Sequence, residues 1–204
     1  IVLDFGVKIM PGSAKLSLSF SSNLNNNLVG FYTSNYHGKD GSVKKLASTH
    51  LEPAHAREVF PCIDEPEAKA TFDVSVTADK RFDVTSNTPE LRTDNLPKGR
   101  KKVTFETTPK MSTYLLYLGI GEFEYLDDDE NSKQNSSNIK IRTITVQGKS
   151  QYGKSALEAA KKFLKFYEDY FGIRYPLKKL DLIAVPDFEA GAMENWGAIT
   201  FRED

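Results

Sequence analysis

The sequence predicts a mainly β chain that changes to helix and strand in its last quarter. Three observations carry this. Apolar residues alternate with polar ones at a period of two in several short runs, as in half-buried strands. Polar turn signals interrupt those runs at close intervals. After Gly148-Lys149-Ser150 the apolar spacing becomes helical. The expected organisation is an antiparallel β-domain over residues 1–149 and the beginning of an α/β unit over residues 150–204.

Taken in order, Ile1 to Gly6 is strand-like from its first residue. Leu16, Leu18 and Phe20 alternate with Lys15, Ser17 and Ser19, and Phe72, Val74 and Val76 alternate with Thr71, Asp73, Ser75 and Thr77. Val103 and Phe105 repeat the pattern. Tyr114-Leu115-Leu116-Tyr117-Leu118 is continuously apolar and reads as a strand covered on both faces. Turns are expected at residues 23–27, at His37-Gly38-Lys39-Asp40-Gly41 and at Pro97-Lys98-Gly99. Residues 127–138, acidic and then rich in Ser and Asn, read as a solvated hairpin tip, where Asn135-Ser136-Ser137 matches a glycosylation pattern without secretory support. Ile139, Ile141, Ile144 and Val146 form a last strand whose apolar phase slips by one residue, as at a bulge. Ala156, Ala160, Phe163, Tyr167 and Tyr170 then mark one face of a helix, Gly172 follows its end, and Pro176 comes soon after. Leu180 to Val185 is an apolar strand.

Composition narrows the function. With 39% hydrophobic residues the chain can bury a core, and its net charge of −1 gives no reason to expect a nucleic-acid or anionic-membrane partner. No apolar run approaches the ~20 residues that span a bilayer. The single cysteine, Cys62, excludes an internal disulfide and fits a reducing compartment, so a cytoplasmic location is expected.

Two stretches stand out. The first runs from Val185 through Gly191-Ala192-Met193-Glu194-Asn195 to Trp196-Gly197 and places one acid among small or uncharged residues. Gly191 and Ala192 let another main chain approach closely, so an extended peptide can pair there, and Glu194 can meet its cationic α-amino group. A tight turn between buried strands, with an incidental surface acid, is the plainer reading of the same residues. The second stretch is Thr49-His50-Leu51-Glu52-Pro53, followed by Ala56-Arg57 and Phe60-Pro61-Cys62-Ile63-Asp64-Glu65-Pro66. Prolines cut it into pieces, Asp64-Glu65-Pro66 reads as a turn, and no carboxylate or cysteine pattern completes a metal site around His50 and His55.

Gly-Ala-Met-Glu-Asn before Trp-Gly resembles the exopeptidase motif of the gluzincin zinc aminopeptidases, the alanyl, puromycin-sensitive and tricorn-interacting enzymes. The second stretch resembles the same family's Thr-Gln-Phe-Glu-Pro pattern, with His50 where most members have Gln, a feature closest to the tricorn-interacting branch. Leu28-Val29-Gly30-Phe31-Tyr32 and Met111 to Tyr117 fit as well, so the resemblance reaches from about residue 28 to the C-terminus. It implies a saddle-like β-domain followed by the start of a thermolysin-like catalytic domain. It also implies substrate binding by Glu194, Glu52, Gly191, Ala192 and Met193, whose side chain either touches the first substrate residue or packs. The implied partners are peptides with a free N-terminus and the remainder of the catalytic domain.

That family holds Zn²⁺ with His-Glu-x-x-His and a later Glu. The three histidines here are His37, His50 and His55, and none is followed by Glu. The chain is therefore expected to be a segment of a longer zinc enzyme, with no catalytic residue or metal ligand of its own and no turnover alone. Two other readings stay open: a non-catalytic peptide-binding or scaffold module derived from such an enzyme, and an epoxide-hydrolase relative.

Overall fold

The computed structural model describes residues 4–127 and 139–203. Three sheets carry the described residues. In the first, β1 (Gly30–His37), β2 (Val43–His50), β7 (Leu118–Gly121) and β4 (Asp83–Ser86) lie in that order, all antiparallel. The second orders β3 (Ser75–Asp79), β6 (Arg100–Phe105) and β5 (Glu90–Leu96), again antiparallel. The third has five strands: β11 (Ala192–Met193), β12 (Ala198–Arg202), β10 (Lys179–Val185), β9 (Lys140–Val146) and β8 (Phe123–Asp127). Within it β9, β10 and β12 run parallel, while β8 and β11 are antiparallel to their neighbours. The one long helix among the described residues, α1 (Lys154–Phe171), makes the crossover from β9 to β10 that a parallel pair requires. The fold class is the expected one, mainly β with antiparallel sheets and a helix near the C-terminal end.

Position 150 lies inside this third layer. Strands β8 and β9 precede it, β10 to β12 follow it, and main-chain pairing runs from one set to the other. The main core also crosses it, with Tyr32, Leu46, Leu51, Met111 and Tyr117 packed in one cluster with Ile183, Val185, Phe188, Met193 and Ala198. Across it the pairing changes from antiparallel between β8 and β9 to parallel between β9 and β10.

Four local expectations need correction. Leu16, Leu18 and Phe20 are exposed and form no strand; alternation tells which face a strand would bury, but a ladder also needs a neighbour. Tyr114-Leu115 lies in a 3₁₀ turn, Thr113–Leu115, and pairing starts only at Leu118. Burial of Leu115, Leu116 and Tyr117 was legible, but the Asn87 side chain takes the Leu115 carbonyl and the Tyr117 amide in place of a neighbouring strand. The phase slip in β9 is no bulge, because its register with β8 and β10 is continuous. Both faces are covered: Ile139 and Ile141 meet α1 with Leu157 and Ala160, whereas Ile144 and Val146 join the main core.

The helix is rotated from its expected face. Leu157, Ala160 and Leu164 pack on the sheet, and Phe163, Tyr167 and Tyr170 are exposed. Both stripes are apolar, so periodicity alone did not choose between them. The helix ends at Gly172, whose φ of 65° is the left-handed conformation glycine adopts freely. Of the strand-like opening Ile1 to Gly6, residues 4–6 form no strand; its first three residues and nearly all of the acidic, Ser/Asn-rich tip lie outside the described residues. Asp127 closes β8 in an ion pair with Lys140 at 2.9 Å.

Candidate functional site

The Gly-Ala-Met-Glu-Asn stretch forms the free edge of the five-stranded sheet. Among the described residues strand β11 pairs only with β12, Ala192 opposite Phe201 and Met193 opposite Thr200. The Arg202 N–H donates to the Gly191 carbonyl at 3.0 Å. In an antiparallel pair this phase turns the Met193 amide and carbonyl toward β12, and those of Ala192 toward the open edge. Gly191 and Ala192 are exposed, and a Cβ on Gly191 would meet no atom within 4 Å. An extended chain thus has both room and main-chain partners along this edge.

Alternation sorts the side chains. Met193, 1% exposed, points into the main core. The side chain packs there, and the backbone pairs with β12. Ala192 and Glu194 take the opposite face, where Glu194 and Trp196 border an apolar groove of about 690 Å³ beneath α1, near Phe163 and Tyr167. Glu194 is exposed and has no hydrogen-bond or ion-pair partner among the described residues. Asn195 is buried with its Oδ1 unpartnered.

Glu52 follows the end of β2 and is likewise exposed without a partner among the described residues. The two stretches meet through their neighbours, since the His50 and Phe188 rings lie 4.8 Å apart. His50 Nδ1 is 3.3 Å from the Leu28 carbonyl, and His55 Nδ1 pairs with Glu58 at 2.8 Å. Asp64 is a buried staple at its turn, accepting from the Arg57 amide at 3.0 Å and from Thr113 Oγ1 at 2.7 Å. Among the described residues no three of His, Cys, Asp and Glu cluster so as to hold a metal. A zinc ion does not fit the described residues, and no helix among them is long and apolar enough to cross a membrane.

The first sheet grips this edge from both ends. Before it, Tyr32 Oη donates to the Asp187 carbonyl at 2.9 Å, the Asn35 amide donates to Asp187 Oδ2 at 2.8 Å, and the Asp187 amide donates to Ser34 Oγ at 2.9 Å. After it, Asn87 Nδ2 reaches the Trp196 carbonyl at 2.8 Å. Lys179 Nζ donates at 2.7 Å each to the carbonyls of Gly197 and Ser86 and to Asp181 Oδ2. Arg142 completes the group with two bonds to Asp181, at 2.6 and 2.7 Å. Burial drives the Asp181 carboxyl pKa up, but Lys179 and Arg142 outweigh it and hold the group below its ordinary range. Burial lowers the Lys179 pKa against the pull of Asp181.

Sequence reading missed Asn87, Lys179, Asp181 and Arg142. A usable signal was present for two of them. Lys179 and Asp181 stand two apart, hence on one face, in an otherwise apolar strand, where both must be paired if buried. Asn87, on a separate loop, gave none.

The Peptidase M1 N-terminal domain matches residues 1–115, and the Peptidase family M1 domain matches residues 155–204. The chain is similar to the puromycin-sensitive aminopeptidase of Caenorhabditis elegans, 43% identical over 204 residues, all of this chain and 21% of that protein. It is 52% identical over 177 residues to a probable aminopeptidase 2 of Sulfurisphaera tokodaii, covering 86% of this chain and 21% of the relative. Against aminopeptidase 2 of Candida albicans it is 41% identical over 203 residues, 99% of this chain and 21% of the relative. The chain thus spans about a fifth of the length of these curated relatives. With one family domain over residues 1–115 and another over residues 155–204, the chain belongs to the M1 peptidase family.

Proposed function

We propose that these residues are the substrate-recognition part of a zinc aminopeptidase, which removes N-terminal residues from peptides. The observation that carries the reading is the open edge of β11, with the Ala192 amide and carbonyl outward and an unpaired carboxylate, Glu194, beside it. A peptide would add as a short strand along Gly191 and Ala192, with the Met193 backbone holding that edge on β12. Its α-ammonium would meet Glu194, with Glu52 as a second carboxylate from the end of β2. Charge-assisted hydrogen bonds of this kind contribute roughly 1.5–3 kcal/mol each.

Bound zinc would supply an activated water and polarise the scissile carbonyl. Its ligands do not come from the described residues, so the part played here is binding and orientation. The remainder of the catalytic domain is the expected partner of the groove side. A reducing, cytoplasmic setting rests on Cys62 being a lone free thiol.

Glu194→Gln and Glu52→Gln in the full-length enzyme test the reading. Each should lower kcat/KM for free-amine peptides by about 10- to 150-fold, the equivalent of one lost charge-assisted contact. N-acetylated peptides, already poor substrates, should lose little. An unchanged kcat/KM for Glu194→Gln would overturn the proposal. An unchanged value for Glu52→Gln alone would return Glu52 to an ordinary surface acid.

A further inference from the structure

The recognition edge is too short to fix its own position. Strand β11 has two residues, one neighbour, and a following Asn195 whose Oδ1 finds no partner. What holds its exit is the pair of successive carbonyls on Trp196 and Gly197. The first accepts from Asn87 Nδ2 at 2.8 Å, and the same amide group donates to the Leu115 carbonyl at 2.8 Å. Asn87 Oδ1 accepts from the Tyr117 amide at 2.8 Å, so the side chain is held on three sides. The Gly197 carbonyl accepts from Lys179 Nζ at 2.7 Å and from the Asp181 amide at 3.1 Å. Lys179 spends its remaining two donors on Ser86 and Asp181. Gly197 itself is pressed against the Asn87 carbonyl, where a Cβ would collide, and its φ is 71°. Ser86 ends β4 and Asn87 follows it, so both grips lead back to the first sheet.

We infer that Asn87 and Lys179 are positioning residues, which lock the exit of the recognition strand to the end of β4, so that the N-terminal sheet sets where Glu194 stands. The assignment rests on the reading of Glu194 as the amine-binding acid. The lock touches no substrate; it acts through the two peptide units that follow Glu194 and Asn195. Displacing a binding group by about an ångström is enough to cost large factors in rate.

Trp196 is the chain's only tryptophan and lies between the two grips, which makes the lock observable without any substrate. In this chain, Asn87→Ser and Lys179→Met should each shift Trp196 emission to the red and raise its quenching by acrylamide, with far-UV circular dichroism unchanged. Should Lys179→Met fail to fold, Asn87→Ser, which leaves every partner of Asp181 in place, carries the test. In the full-length enzyme, Asn87→Ser should lower kcat/KM for free-amine peptides about tenfold, chiefly through KM. The decisive measurement is the double variant. If the lock acts through Glu194, the double variant should lose no more than Glu194→Gln alone, so that Glu194→Gln costs about 1- to 15-fold once Asn87 is Ser, against 10- to 150-fold alone. Additive losses would mean that Asn87 is merely structural and would overturn the inference, as would unmoved Trp196 emission in both variants. Should Glu194→Gln have no effect by itself, the recognition reading and Glu194's part in this one both fall. A Trp196 shift would still report the lock.

Discussion

Two acids of the same sheet, Asp181 and Glu194, show how differently one residue class can be used. Asp181 is wholly buried in β10 and held by Arg142, Lys179 and, at 3.4 Å, Thr85 Oγ1. Glu194 follows the edge strand, exposed, with no partner among the described residues. A buried carboxylate must be compensated by the protein itself, and once compensated it has nothing left to offer a ligand. An exposed, uncompensated one on an open strand edge can take a cation from solution. Chemistry is therefore to be sought at the acid the fold neglects, and rigidity at the acid it satisfies.

The strongest way to break this contrast is to remove Asp181. Asp181→Ala leaves the buried Lys179 ammonium and the half-buried Arg142 guanidinium facing each other across an empty site and should cost about 3–5 kcal/mol in urea unfolding. A cost below about 1 kcal/mol would show that the cluster does not hold the sheet. Acid should act in the same direction. The folded pKa of Asp181 lies below its ordinary value of 3.8, so the unfolded chain takes the proton first. The stabilisation is present above pH ~4–5 and is lost as the pH falls through the folded value. Glu124, drawn down to about 2 by the Lys39 ammonium and by main-chain donors from Gly148 and Ser150, has the same sign but is less enclosed. Asp181→Asn should therefore flatten the acid limb of stability more than Glu124→Gln does.

The other side of the contrast is Glu194. Glu194→Gln should leave the unfolding free energy of the chain within about 0.5 kcal/mol of its parent, because nothing in the fold leans on that carboxylate. Its loss should show in peptide turnover by the full-length enzyme. A stability loss above about 2 kcal/mol would place Glu194 with Asp181 as a structural acid.

How much of this was legible follows from where the information lies. The strand-rich class, the turns at residues 37–41 and 97–99, and the helix over 154–171 all follow from local pattern. The two acidic stretches were legible through their motifs, but their contact through His50 and Phe188 belongs to the fold. Asn87 was invisible because its partners, at Leu115, Tyr117 and Trp196, are distant main-chain groups with no residue signature. The continuous apolar run Tyr114–Leu118 misled for the same reason: burial can be read from composition, but here a side chain from elsewhere replaced the ladder. Leu16, Leu18 and Phe20 show the converse, a strand pattern with no neighbour among the described residues.

The smallest expected effect concerns α1, where the same rule applies to apolar groups. Leu157, Ala160 and Leu164 pack on Ile139, Ile141, Leu180 and Leu182. The stripe that the sequence put forward, including Phe163, Tyr167 and Tyr170, is more than half exposed at each of these aromatics. Those rings touch mainly one another along the helix: Phe163 and Tyr167 at 6.4 Å, Phe166 and Tyr170 at 5.8 Å, Tyr167 and Phe171 at 5.9 Å. Exposed pairs four residues apart stabilise a helix by about 0.2–0.5 kcal/mol. Phe163→Ser should therefore change the unfolding free energy of this chain by no more than about 0.5 kcal/mol, measured by urea titration. In the full-length enzyme, where the remainder of the catalytic domain is proposed to cover this face, the same substitution should cost about 3–5 kcal/mol, the scale of a buried aromatic. Equal, small losses in both settings would show that the aromatic face stays in water. A loss of several kcal/mol in this chain alone would mean that Phe163 already belongs to its core.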